Sequence, residues 1–279
     1  MIYSEMWEGY NEQITSVFNY FLLLQTMVHM QVNYDVGGIS MKIEVWSDFV
    51  CPFCYIGKRR LEEAINEFEH KDQVEVEFKA FELDPNSPME PTMKIHEALA
   101  KKYGMSVEEA IRANENMAKQ AASVGLQFRF DDMLPSNTFD AHRLAKYAKT
   151  VGKEKELTEK LLHAYFTENK QLSKKDVLVE IAESVGIERA EIMKVLDDNT
   201  LFANDVRIDE TIAQQYKITG VPFFVVNNKY GISGAQPLDT FKNALEKVWE
   251  EENINSPLQN LSSDNAGVCT DDSCEIPEK

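Results

Sequence analysis

The chain has 279 residues, 43% hydrophobic and 27% charged, and its 47 acidic against 29 basic side chains give a net charge of −18. That length holds one large domain or two smaller ones, with ample apolar material for a core. The acidic balance repels phosphate, which argues against nucleic acid and anionic lipid as partners, and four cysteines in two close pairs are too few for a disulfide-stapled secreted scaffold.

Residues 14–32 include Phe18, Phe21 and Leu22-Leu23-Leu24, an apolar run that invites a signal-peptide reading. No Lys or Arg precedes Lys42, whereas Glu5, Glu8 and Glu12 do, so the positive start of a secretory signal is missing. Asn19, Gln25, His29 and Gln31 interrupt a membrane span. The better reading is that residues 1–40 are an over-called upstream extension. Gly37-Gly38, just before Met41, fits a purine-rich ribosome-binding site read as codons. A cytoplasmic location is expected.

Lys42 to Trp46 alternates and predicts a strand. Cys51-Pro52-Phe53-Cys54 follows, and Pro52 to Glu69 predicts a helix with Leu61, Ala64, Ile65 and Phe68 on one face. Val74 to Phe81 alternates again, so strand, helix and strand make a βαβ unit with a parallel pair. Pro85, Pro88 and Pro91 mark a linker. From Met93 to Tyr216 the pattern is helical, with starts at Ser106 (Glu109 three residues on) and Ser173 (Asp176), and stops at Gly104, Gly125, Gly152 and Gly186. Phe128-Arg129-Phe130 reads as an irregular loop. Val221 to Asn227 and Tyr230 to Ser233 predict a hairpin turning at Asn227-Asn228-Lys229, and Leu238 to Glu250 a closing helix. Residues 41–90 and 217–252 thus form one α/β domain, interrupted by a helical domain at 91–216. Residues 253–279 form a flexible tail that ends in Cys269-Thr270-Asp271-Asp272-Ser273-Cys274.

A strand that delivers Cys51 to a helix N-terminus puts it where free N–H groups and the helix dipole stabilise a thiolate, the nucleophile of disulfide exchange. Cys54, one turn on, is within disulfide reach. The competing reading is half a zinc site, completed by the other cysteine pair. The strand–CxxC–helix context with a downstream Val-Pro favours redox chemistry. Pro222 is either a strand-edge proline or part of a redox site. Asn137 and Thr138 are either caps of the following helix or cleft residues, and His142 is either a surface histidine or one of them.

The segment Val45 to Lys58 resembles the active-site segment of the FrnE-like branch of the DsbA family. Ser136-Asn137-Thr138-Phe139-Asp140-Ala141-His142-Arg143-Leu144 is similar to that branch's helical-domain signature, and Gly220 to Val226 to its cis-proline loop and following strand. The resemblance implies a thioredoxin-like fold, βαβ then ββα, with a large helical insert. It also implies a thiol–disulfide oxidoreductase or isomerase that needs no organic cofactor or metal. Its catalytic residues would be Cys51 (attacking), Cys54 (resolving) and Pro222 (a cis-proline facing them). Phe53, Val221, Asn137, Thr138 and His142 would bind substrate, with the Val221 backbone pairing with an extended segment. The implied partners are protein thiols and disulfides, with glutathione or thioredoxin as recycling partner. Some members carry a second pair like Cys269 and Cys274, which is expected to form its own disulfide and exchange with the first. Two other readings stand beside this one. Glutathione-dependent isomerases and kappa-class transferases have a similar helical domain but typically lack the dithiol. Some DsbA-like proteins act as protease adaptors without using their thiols.

Overall fold

The computed structural model describes residues 40–254, 268–270 and 273–275, so the expected upstream extension lies outside the described residues except for Ser40. Strand β1 (Met41–Ser47) is the centre of a four-stranded sheet of order β2-β1-β3-β4. It pairs in parallel with β2 (Val74–Ala80), from Met41 opposite Val74 to Ser47 opposite Ala80, and antiparallel with β3 (Phe223–Val226). Strand β4 (Tyr230–Ser233) closes the expected hairpin. Asn227 and Asn228 both have positive φ, 50° and 53°, as a two-residue turn of this hand requires.

Helix α1 (Pro52–Glu67) connects β1 to β2, and α9 (Leu238–Ile254) packs beside it. Leu61, Ala64 and Phe68 meet Ile43, Val45 and Phe224 from the sheet and Phe241, Leu245 and Val248 from α9 in one core. Each fully buried large side chain there contributes about 1.5–3 kcal/mol. The second face of the sheet carries Trp46 and Val225 against Ala213 and Ile218. Trp46 donates its indole N–H to Asp209 O at 3.0 Å.

Seven helices stand between β2 and β3: α2 (Ile95–Tyr103), α3 (Val107–Ala122), α4 (Phe139–Thr150), α5 (Glu154–Phe166), α6 (Lys175–Ser184), α7 (Arg189–Asp197) and α8 (Ala203–Gln215). Their core takes in Phe49, Tyr55 and Ile56, so the insert and the start of α1 share one apolar interior. The buried Phe128 and Phe130 anchor the irregular stretch before Pro135 in that interior. Ser106 and Glu109 make the expected capping box, with Glu109 N–H to Ser106 Oγ at 3.2 Å and Ser106 N–H to Glu109 Oε2 at 2.8 Å.

Ser173 does not cap a helix. Helix α6 begins at Lys175 with Lys174 at its N-cap position. The Ser173 hydroxyl instead donates to Met89 O at 2.8 Å, and its N–H donates to Ser136 Oγ at 2.8 Å. A long-range partner outcompetes the local cap, which no four-residue pattern records.

Strand β2 departs from a simple inside–outside alternation. Val74, Val76 and Phe78 are only half-buried, whereas Glu77 is buried. Glu77 accepts from Lys42 at 2.6 Å, from Lys79 at 2.7 Å and from Lys149 of α4. Lys79 also reaches Glu44 at 3.1 Å, and Lys146 pairs with Asp209. Burial alone would raise the Glu77 carboxyl, but hydrogen bonds from Lys149, Lys42 and Lys79 outweigh it and hold the group far below its ordinary value. The charges tolerate burial because each has an opposite partner.

In the tail, β5 (Val268–Thr270) and β6 (Ser273–Glu275) form a two-stranded antiparallel ladder that places Cys269 directly opposite Cys274. The rest of the expected flexible tail, residues 255–267, 271–272 and 276–279, lies outside the described residues.

Candidate active site

The site begins where β1 ends. A tight turn returns the Cys51 N–H to Asp48 O at 3.1 Å, which sets Cys51 at the N-cap position of α1 with φ −92° and ψ 113°. Pro52 takes the first helical position, where its missing N–H leaves no donor unsatisfied. No acidic side chain stands in the first turn, so the helix N-terminus faces Cys51 without a competing anion.

Both cysteines are unbridged and buried. Cys51 Sγ lies 3.5 Å from Val221 O. The Val221–Pro222 bond is cis, so the expected cis-proline loop does face Cys51. Cys51, Ser47 and the Asp48 backbone stand beside the Cys54 thiol. Burial pushes the Cys54 thiol well up, and Cys51 pushes it further. Phe53 is 42% exposed and presents its ring to solvent between the two cysteines in sequence.

Gly57 fixes how closely α1 approaches the cis-proline hairpin. A Cβ there would stand 3.1 Å from Pro222 Cγ, 3.1 Å from Phe224 Cζ and 3.4 Å from Ala235 Cβ. One turn of α1 also grips the insert. Tyr55 OH donates to Glu159 Oε1 at 2.5 Å, Lys58 Nζ to Glu159 Oε2 at 2.6 Å and Arg59 Nη2 to Glu159 Oε1 at 2.5 Å. Burial raises the Glu159 carboxyl, yet Lys58, Tyr55 and Arg59 bring it below its ordinary value.

The Ser136–Leu144 segment divides by role. Asn137 is a tether: its Nδ2 donates to Ser87 O at 3.0 Å and to Pro85 O at 3.4 Å, and its Oδ1 accepts from Phe139 N–H at 3.0 Å. It therefore caps α4 from one residue before the cap position and ties down the loop after β2. Thr138 occupies the cap position without a capping hydrogen bond and is buried. Arg143 is fully buried and braces α4 against the end of α7. His142 is not a surface histidine. It is 3% exposed, with Phe49 at 4.7 Å between ring centroids and Asp48 Oδ1 3.4 Å from its Nε2.

Asp48, Ser47, Gly57 and Glu82 were not singled out by the sequence reading. Asp48 Oδ2 accepts from Leu83 N–H at 2.7 Å, which draws the loop after β2 to the active-site turn. The Glu82 side chain is buried beside it; burial pushes its carboxyl up, and Arg207, donating at 2.5 Å, partly offsets this. The available signal was an Asp in the turn immediately before a CxxC.

The chain belongs to the DsbA-like thioredoxin domain family, whose model matches residues 42–246. The uncharacterized protein YwbO of Bacillus subtilis (strain 168) is 30% identical over 208 residues, covering 74% of this chain and 96% of that protein. A probable DsbA oxidoreductase from Streptomyces coelicolor superposes with a TM-score of 0.74 at 39% identity, covering 85% of this chain and all of that one. A 2-hydroxychromene-2-carboxylate isomerase shares the fold at 14% identity and a TM-score of 0.58, over 77% of this chain and 99% of its own.

Proposed function

We propose that the chain exchanges disulfides with protein substrates through Cys51 and Cys54. One observation carries the reading: Cys51 occupies the N-cap position of α1 and lies 3.5 Å from Val221 O on the cis-proline loop. The thiolate form of Cys51 is the nucleophile of the exchange. That thiolate attacks one sulfur of a substrate disulfide, the second substrate sulfur leaves as a thiolate that takes a proton from solvent, and a mixed disulfide joins substrate to Cys51. Cys54 then attacks Cys51 Sγ, and the substrate departs reduced. Run backwards, the same steps donate a disulfide. The direction follows from the potential of the pair, and a tenfold change in equilibrium constant is only ~30 mV. An extended substrate segment can pair with the Val221 backbone as an added strand, with the exposed Phe53 and Leu83 as apolar contacts. Glutathione or thioredoxin recycles the pair.

The isomerase-type reading needs glutathione held without a dithiol, and the two thiols one turn apart favour exchange. The test is a redox titration in glutathione buffers, read by thiol trapping, with insulin reduction as the activity. A reversible Cys51–Cys54 disulfide and loss of turnover in Cys51→Ser are expected. Iodoacetamide should modify Cys51 before Cys54, because Cys54 is the more deeply buried and its thiol is pushed up. Full cellular activity in Cys51→Ser would point to an adaptor instead.

A further inference from the structure

Strand β2 is an edge of the sheet, and on the face that carries α1 its Val74, Val76 and Phe78 are only half-buried. They floor a trough of ≈ 390 Å³ whose wall is Leu61 and Ile65 of α1. That volume falls among small-ligand sites, which run from roughly 300 to 1,000 Å³. Apolar surface left open in this way gains from any apolar group that displaces its water.

The charges at the rim are of one sign once the paired ones are set aside. Lys58 lines the trough but is held by Glu62 and Glu159, each at 2.6 Å, and Glu62 is shared with Arg59 at 3.0 Å. Lys71, from the short turn before β2, and Lys155, from the first turn of α5, line the same trough and are exposed. Among the described residues neither has a carboxylate partner. In a chain of net charge −18, two unpaired cations beside one apolar trough favour an anion there. They belong to its two ends. Lys71 precedes Val74, whereas Glu154, the neighbour of Lys155, accepts from Phe78 N–H at 3.3 Å. From Val74 to Phe78 the strand runs about 13 Å.

We propose that this trough binds a medium-chain alkyl carboxylate, its chain lying along Val74, Val76 and Phe78 and its head group meeting the lysine at either end. The carboxylate is ionised at neutral pH. Burial of the chain drives binding, and the lysines select the charge. An added protein strand is the poorer occupant. Asp209 accepts from Ala80 N–H at 2.7 Å and Glu154 from Phe78 N–H, while Val74 N–H returns to Lys71 O, so too little of the outer edge of β2 is left to pair. The site uses none of the residues assigned to thiol exchange and stands independently of that reading.

The test is titration of the full chain with sodium octanoate at neutral pH, followed by calorimetry and by backbone amide shifts. Saturable binding with a Kd of about 1 mM or tighter is expected, with shifts concentrated at residues 71–78. Octanol, which keeps the chain and lacks the charge, should bind at least about fivefold more weakly, and butyrate, which keeps the charge on a short chain, at least about tenfold more weakly. The pair Lys71→Glu, Lys155→Glu should weaken octanoate at least about fivefold and leave octanol within about twofold. Lys102→Glu, an exposed change outside the trough, should keep the parent affinity. Absence of saturation, octanol as tight as octanoate, or an unchanged affinity in the folded double variant overturns the proposal. So does equal weakening by Lys102→Glu, or shifts at Phe53 and Leu83 in place of residues 71–78.

Discussion

Arg143 sits in the segment between Ser136 and Leu144, yet its contacts make it a structural brace, and replacing it by Met should separate stability from activity. Its guanidinium is fully buried. Nε donates to Leu201 O at 2.9 Å, Nη1 to Asp140 Oδ1 at 2.7 Å, and Nη2 to the carbonyls of Val195 and Asp198. Met fills a similar length but leaves three backbone carbonyls without this donor. Hydrogen bonds from a charged group are worth about 1.5–3 kcal/mol each, and orphaned buried acceptors about 1–3. Some of these carbonyls are only partly buried, so the sum is discounted to about 3–5 kcal/mol, the range for breaking a buried charge network. For a chain of this size that lowers Tm by roughly 10 °C. Urea unfolding followed by Trp fluorescence measures the loss. Stopped-flow exchange below the transition should give the parent rate for the folded fraction. A loss under 1 kcal/mol would refute the bracing argument. A large drop in rate with little change in stability would show that Arg143 acts on exchange and is not a brace alone.

Gly57→Ala should cost about 1–2 kcal/mol despite the better helix propensity of Ala, because Phe224 is fully buried and the proline ring cannot bend aside; urea unfolding measures it, and a stabilised variant would show that the hairpin yields. Glu77 is depressed in the folded state, so its contribution is present above its ordinary value near 4.5 and is lost as pH falls below it. Glu77→Gln should therefore be less stable than the parent at pH 7, with the gap closing toward pH 3; an equal gap at both pH values would contradict the linkage. Asn137→Ala should lose about 1–2 kcal/mol through the missing cap and tether, and limited proteolysis should then cut within residues 83–94; an uncut loop would deny the tether. Cys269→Ser, Cys274→Ser should lower multiple-turnover reductase rates while the Cys51–Cys54 potential stays unchanged. Equal turnover, with no trapped disulfide between tail and active site, would end the exchange model for the tail pair.

Much of this molecule is written locally. A CxxC between a strand and an amphipathic helix specifies a cysteine at a helix N-cap, because proline at the first turn and the periodicity of Leu61, Ala64 and Phe68 act within a few residues of one another. The same holds for the Ser106–Glu109 box, the Asn227-Asn228 turn and the order of elements around the insert. Asn137, Ser173 and His142 could not be assigned that way. Each has a polar side chain able to satisfy a neighbour in sequence or a partner far along the chain, and only packing decides between them. The loop after β2 takes Asn137 and Ser173, and the turn before Cys51 takes His142. Glu77 makes the same point for the sheet: alternation places it opposite the valines, but its burial depends on Lys149 of α4, Lys42 of β1 and Lys79 of β2 meeting it across the sheet face. Short-range geometry therefore determined where the thiols stand, while the loop that Cys51 faces comes from 170 residues along the chain. The tertiary structure alone decided which buried polar groups surround them, since those contacts join β1, β2, α4 and α5 through space.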